Sequence, residues 1–162
     1  MKIVVVLGSS KRDGDTRKAI EDLSNHLNFD VIDLSDYNIG YYDYEHNNSA
    51  DDFIFLIERI LTYKILIFAT PVYWYAMSGI MKVFFDRITD LLDYEKALGR
   101  KFRGKDMAVL TSSVGDNLGD SFWLPFKETA KYLGINYVSD LHTLKGRDNN
   151  PQLLEFSKEI IL

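Results

Sequence analysis

The sequence predicts an α/β fold: a doubly wound, five-stranded parallel sheet with helices on both faces. Three observations predict it. Near-continuous apolar runs recur along the chain, helix-period segments alternate with them, and short polar loops follow several of the runs. A strand covered on both faces by crossover helices reads as an unbroken apolar run, whereas a half-solvated strand alternates. The 162 residues, 46% of them hydrophobic, suffice for one domain over residues 1–162 with its own core. No internal repeat, low-complexity tract or linker suggests a division.

The apolar runs are Ile3 to Leu7, Val31 to Leu34, Ile65 to Ala69, Met107 to Leu110 and Tyr137 to Leu144. The last is mixed in polarity, as suits an edge strand. The first helix is expected to start near Thr16 and to bury Ala19, Ile20, Leu23 and Leu27. A second has apolar positions Phe53, Ile54, Ile57, Ile60 and Leu61, with Ser49 and Asp52 spaced as a capping box. The third carries Met77, Ile80, Met81, Phe84, Phe85, Ile88, Leu91 and Leu92 on one face and an i,i+4 pair, Lys82 and Asp86, on the other. A fourth runs from about Ser121 to Leu133, with Pro125 in its first turn and Gly134 as a left-handed cap. The last begins at Asn150-Pro151. Five β-α units of this size predict the flavodoxin-like strand order 2-1-3-4-5, with a ligand crevice at the carboxyl ends of the strands.

Composition narrows the function. With 19 Lys+Arg against 24 Asp+Glu and a net charge of −5, nucleic-acid binding is disfavoured, because phosphate-backbone affinity comes chiefly from basic residues. The absence of cysteine excludes disulfides, iron–sulfur ligation, thiolate catalysis and cysteine zinc sites. Met1 to Leu7 is apolar but stops at Gly8-Ser9-Ser10, too short for a signal peptide or a membrane span. A cytoplasmic protein with a small-molecule partner is expected. The 10 Phe, 10 Tyr and 2 Trp need a reason beyond the core.

Three strand-end loops carry candidate chemistry. Gly8-Ser9-Ser10-Lys11-Arg12-Asp13-Gly14-Asp15-Thr16-Arg17 leads into a helix and offers hydroxyls, amides and a positive dipole end to a phosphate. Composition alone serves an ordinary β-α turn with Thr16 as N-cap equally well. Walker A and the G-x-G-x-x-G fingerprint both fail: no Gly-Lys-Ser/Thr follows Gly8, and Ser10 stands where the second Gly would be. In the second loop, Thr70-Pro71-Val72-Tyr73-Trp74-Tyr75, three consecutive aromatics after a Pro suit a flat conjugated ligand. The third, Thr111-Ser112-Ser113-Val114-Gly115-Asp116-Asn117, is small and polar, so backbone amides can approach a ring edge closely. His26, His46 and His142 lack motif context and read as structural. Asp51-Asp52 reads as a favourable charge at a helix N-terminus.

Together these loops resemble the NAD(P)H-dependent FMN reductase and quinone reductase family of the flavodoxin superfamily. The strongest match is Thr70-Pro71-Val72-Tyr73-Trp74-Tyr75, then Met77-Ser78-Gly79, Met81-Lys82 and Phe85-Asp86-Arg87; Gly8-Ser9-Ser10 with Arg12 and Thr16 supports it, as does Leu133-Gly134. The resemblance implies FMN as prosthetic group and NADH or NADPH as electron donor. Hydride would pass through the flavin to a quinone, an azo or nitro compound or free flavin in a ping-pong cycle. It places Ser9, Ser10, Lys11, Arg12, Asp15 and Thr16 around the phosphate. Pro71, Val72, Tyr73 and Trp74 would lie along the ring, with Ser112, Ser113 and Gly115 on its polar edge. Tyr41, Tyr42 and Tyr75 would wall the acceptor pocket, with Tyr44 beside them, in a homodimer. No side chain is assigned as a catalytic acid or base. Asp15 stands where the family usually has Asn or Ser, and its charge requires neutralisation by Arg12, Arg17 or Lys18. The alternative, a flavodoxin-type electron carrier, has a Thr/Ser-x-Thr-Gly-x-Thr loop that Ser9 to Gly14 does not match.

Overall fold

In the computed structural model, which describes residues 2–162, every residue of strand β1 (Ile3–Leu7) is buried. The pleat sends Val4 and Val6 into one core and Ile3, Val5 and Leu7 into another, so both faces of the sheet are covered. Helices α1 (Asp15–Leu23) and α7 (Asn150–Ile161) cover one face through Ile20, Leu23, Leu153 and Phe156. On the other face α2 (Phe53–Ile60), α3 (Gly79–Arg87) and α6 (Leu124–Leu133) contribute Phe53, Ile57, Met81, Phe84 and Phe126.

The remaining strands are β2 (Asp30–Asp33), β3 (Ile65–Tyr73), β4 (Ala76–Met77), β5 (Asp106–Ser113) and β6 (Asn136–Leu144). Parallel pairing runs in the order β2-β1-β3-β5-β6, which is the expected 2-1-3-4-5 winding. The mixed run Asn136–Leu144 lies at an edge, as its polarity requires. The two-residue strand β4 is an addition, paired antiparallel to the end of β3 through Val72↔Met77 and Tyr73↔Ala76. It forms because β3 does not stop at Ala69 but continues past Pro71, which pairs with Ser112.

Several expected helix boundaries stand. Gly134 ends α6 in the left-handed conformation at φ 71°, Pro125 sits in the first turn of that helix, and α7 opens on Asn150. Others move for physical reasons. The N-cap of α1 is Gly14 rather than Thr16, which is buried inside the helix. Ser49 and Asp52 form no capping box; the Asp51 carboxylate takes the Phe53 N–H at 2.9 Å instead. The apolar stripe expected to run unbroken to Leu92 divides into α3 and α4 (Asp90–Asp93), and a further short helix, α5 (Lys96–Gly99), follows. The end of α3 tightens into i→i−3 bonds, Ile88 N to Phe85 O and Thr89 N to Asp86 O, both 3.1 Å. Beyond it α5 packs so closely on Leu91 O that Gly99 has no room for a Cβ.

A buried ion network explains that break. Arg87 is only 1% exposed, and its guanidinium meets Asp51 at 2.5 Å and Asp90 at 2.7 Å. It also donates to the Gly40 carbonyl at 3.1 Å and lies 4.7 Å from the Phe53 ring centroid. Asp51 in turn accepts the Gly40 N–H at 2.8 Å, so both ends of the 40–51 segment are held by one cation. Asp51 therefore has a role beyond the helix-terminal charge effect expected for it. His46, in the middle of that segment, reaches Asp90 at 3.1 Å and stacks on Tyr94.

Burial pushes the Asp51 carboxyl up, but hydrogen bonds from Arg87, Phe53 and Gly40 together with the Arg87 charge outweigh it and hold the group below the usual carboxylate range. A depressed folded pKa stabilises the protein above the unfolded value near 4, and that contribution is lost as pH falls through the folded value. Urea unfolding across the acid range is therefore expected to show a stability loss that Asp51→Asn makes smaller, from a lower plateau, the depressed carboxyls of Asp43 and Asp106 supplying the rest. Arg87→Leu strands two buried carboxylates and is expected to cost about 3–5 kcal/mol at neutral pH. An unfolding midpoint unchanged by Arg87→Leu would contradict this reading.

Candidate functional site

The carboxyl ends of β1, β3, β5 and β6 converge, and buried hydroxyls join them. Thr70 and Thr111 are fully buried, and Ser78 and Thr143 nearly so. Thr111 Oγ1 donates to Thr70 O at 2.6 Å, and Thr143 Oγ1 to Thr111 O at 3.0 Å. Ser78 Oγ donates to Gly8 O at 2.6 Å while accepting the Met81 N–H at 3.1 Å, so one hydroxyl caps α3 and holds the β1 end. Ser78 N donates to Thr70 Oγ1 at 3.0 Å. Gly8 passes so close to Met81 that a Cβ would lie 2.9 Å from the Met81 Cβ, which is why glycine starts the loop.

From this frame the loop after β1 rises as a polar cradle. Ser9, 4% exposed, folds the turn on itself by donating to Lys11 O and accepting from Lys11 N. Gly14, extended at φ −84° and ψ −178°, begins α1 without a side-chain cap, leaving that helix end to other acceptors. Ser10 and Tyr73 hydroxyls meet at 2.8 Å, which joins the cradle to the aromatic loop. Thr16 Oγ1 and Ser112 Oγ lie 2.6 Å apart, which joins α1 to the end of β5. Sequence reading placed these three loops at one crevice, and the structure brings them together.

The charges sit differently from expectation. Arg12 pairs with Asp36 on the surface, and Arg17 pairs with Asp33 at 2.6 Å. Parallel pairing of β1 with β2, Leu7 beside Asp33, brings those acids to the basic loop. Asp15 faces Lys145 at 3.6 Å, so its neutralising partner comes from the loop after β6 rather than from Arg12, Arg17 or Lys18.

Tyr73-Trp74-Tyr75 forms a two-residue hairpin between β3 and β4. Trp74 (φ 50°) and Tyr75 (φ 63°) both adopt the left-handed conformation, as in a type I′ turn, where Asn and Gly are the favoured residues. Such conformations cost of order 1–3 kcal/mol each for residues with a Cβ and cluster at ligand sites. Trp74 is 94% exposed, so the strain is not offset by core burial. With Val72, Ser113, Gly115, Asn117 and Leu118 the hairpin lines a hollow of about 220 Å³.

Tyr41 and Tyr44 stand exposed on the segment pinned by Arg87, and Tyr42 lies edge-on to Tyr44. Tyr41 lines a separate, largely apolar groove of about 670 Å³ with Tyr37, Ile39 and Ile80. The structure therefore places Tyr75 in the hairpin hollow and Tyr41 in a neighbouring groove. A polar cleft of about 680 Å³ between α1 and α7 holds none of the platform aromatics. Sequence reasoning did not anticipate the seam residues Thr70, Ser78 and Thr111 as a network, nor Asn117 and Leu118 as lining. Small polar residues at strand ends carry too little pattern to reveal a partner tens of residues away.

Comparison with known proteins matches residues 1–144 to the family described as NADPH-dependent FMN reductase. YwqN of Bacillus subtilis (strain 168), provisionally named an NAD(P)H-dependent FMN-containing oxidoreductase, is 39% identical over 98 residues. That match takes in 57% of this chain and 54% of YwqN, so the chain aligns with about half the length of that relative. Among solved structures, the Trp repressor binding protein from Bacillus subtilis superposes with TM-score 0.76 at 24% identity, covering 99% of this chain and 98% of its own. FerB, a flavoenzyme NAD(P)H:(acceptor) oxidoreductase from Paracoccus denitrificans, superposes with TM-score 0.71 at 18% identity, covering 99% and 94%.

The hairpin conformation carries a prediction. Replacing Trp74-Tyr75 by Asn-Gly relieves two strained residues at small cost in burial, so the unliganded protein is expected to melt higher by several °C, at about 2–4 °C per kcal/mol for a chain of this size. A lower melting temperature in calorimetry would show that the aromatics stabilise the turn instead.

Proposed function

Because this chain belongs to the NADPH-dependent FMN reductase family, we propose that it is an FMN-dependent oxidoreductase that moves hydride from NADH or NADPH to a flat small-molecule acceptor. A quinone, an azo or nitro compound or free flavin would suit. The observation that carries this reading is the exposed Trp74 hairpin, tied through the Tyr73 hydroxyl at 2.8 Å to Ser10 of the loop that leads into the uncapped start of α1. A flat ring with a phosphate tail needs both features side by side.

The residues present fit FMN. When bound, it supplies the two-electron redox chemistry. Ser9, Ser10, Lys11, Arg12, Asp15 and Thr16 make up the phosphate cradle, in which amides and hydroxyls rather than free arginines do the holding, since Arg12 and Arg17 are already paired. Pro71 and Val72 continue the sheet beneath the ring site, and Tyr73 and Trp74 supply aromatic surface. Ser113 and Gly115 line the hollow beside it from the end of β5 and the loop that follows, and Ser112, bonded to Thr16, joins that edge to the cradle. Trp74 and Tyr75 shield a stacked partner from water and set its angle, on which hydride transfer depends far more than on an acid or base. One platform serving donor and acceptor in turn supports a ping-pong order. Tyr41, Tyr42 and Tyr75 would wall the acceptor, with a second copy of the chain completing the pocket as a homodimer. The apolar groove beside Tyr41 supports that arrangement.

The purified protein is expected to be yellow, to release FMN on denaturation and to oxidise NADH or NADPH when given a quinone. A colourless preparation that takes up no added FMN would sink the proposal; a yellow protein without NADH or NADPH turnover would favour an electron carrier. Trp74→Ala and Tyr73→Ala should each weaken FMN binding about tenfold through lost ring contacts. Unchanged affinity in both variants would assign these aromatics to something other than the cofactor.

A further inference from the structure

His142 lies on β6 opposite Thr111, and its Nε2 is 2.6 Å from Ser113 Oγ. Ser113 Oγ donates its one proton to Gly115 O at 2.7 Å. A hydroxyl has a single hydrogen, so with that proton committed the His142 Nε2 must donate to Ser113. The relay His142 Nε2–H to Ser113 Oγ–H to Gly115 O closes the turn at residues 113–115, two members of which, Ser113 and Gly115, line the hollow beside Trp74 and Tyr75. It leaves Ser113 one free lone pair and no free proton toward that hollow.

We propose that His142 is a positioning residue: by donating to Ser113 it fixes the 113–115 turn and makes Ser113 a hydrogen-bond acceptor toward an N–H at the ring edge of the bound cofactor. The role rests on the FMN reading given above. Burial pushes the His142 imidazole below the ordinary histidine range, opposed by the Asp116 carboxylate, so the ring is neutral near pH 7; the Ser113 bond to Gly115 O is what assigns its single proton to Nε2. The charges around it are already paired: Asp116 with Arg147 at 3.3 Å, and Asp140 with Lys127 of α6 at 3.1 Å. Neither pair offers the imidazole a proton. The same logic orients metal-binding imidazoles through a neighbouring acceptor, here applied to a hydroxyl.

Long-range 1H–15N NMR correlation of the histidine side chains in the full chain should show the Nε2–H tautomer for His142; an Nδ1–H tautomer would overturn the relay whatever the variants do. FMN fluorescence titration is then expected to give His142→Phe and Ser113→Ala each about tenfold weaker binding, and His142→Gln, which keeps a donor at the same reach, binding within twofold of wild type. The double variant His142→Phe/Ser113→Ala should bind no worse than either single change, because both remove one contact. Wild-type affinity in His142→Phe, an equal loss in His142→Gln, or additive losses in the double variant would each overturn the positioning role alone. A wild-type chain that binds no FMN would overturn the functional reading, and this role with it.

Discussion

The hydroxyl seam across the carboxyl ends of the sheet is the constraint on which the site depends. Parallel strands all finish on one side, and their last carbonyls need partners before the chain can turn away. Thr111 and Thr143 provide them from within the sheet and Ser78 from the cap of α3, itself held by its N–H to Thr70 Oγ1, so the loops leave from fixed points with little slack. Ser78 is the pivotal member because its one hydroxyl caps α3 and holds Gly8, coupling the cradle after β1 to the helix behind the aromatic hairpin. A rigid base of this kind lets the hairpin keep two left-handed aromatic residues that an unsupported turn would relax.

Electrostatics act in the same direction. The acidic chain places its loop arginines against Asp33 and Asp36 rather than leaving them free, so the cradle presents amides and hydroxyls within a nearly balanced field. On the proposed reading such a cradle would hold a phosphate by geometry, with weak long-range attraction for acidic ligands. On the other flank a single buried guanidinium, Arg87, organises the segment that carries Tyr41, Tyr42 and Tyr44. Burying an ion network costs desolvation, and what it secures here is the placement of a long irregular segment that has little apolar surface of its own.

Legibility in the sequence followed the range of the interaction. The apolar runs, the αL glycine at 134, the prolines at 125 and 151 and the Lys82–Asp86 pair are local signals, and the structure keeps them. The loops that meet at the crevice were legible because strand order dictates where strand ends lie. What failed was any inference about which charge meets which across a long stretch of chain. Lys145 neutralising Asp15 joins residues 130 positions apart, and Arg87 reaching Asp51 redirects an acid that local reasoning placed at a helix end. The Ser49–Asp52 box failed for the same reason, since the neighbouring carboxylate already bound to Arg87 takes the amide. His142 looked uninformative because its partner Ser113 is on the adjacent strand, and no spacing rule links them.

By itself the sequence determined the α/β class, the winding order, the crevice at the strand ends and the aromatic and hydroxyl-rich chemistry gathered there, because periodicity and turn composition act over a few residues. Only the tertiary structure decided that β3 runs on into a strained hairpin, that the arginines of the first loop face away into ion pairs, and that Ser78 and His142 hold the loops in place. Those outcomes depend on distances between residues far apart in the chain, which burial and hydrogen-bond completion settle only once the sheet has formed.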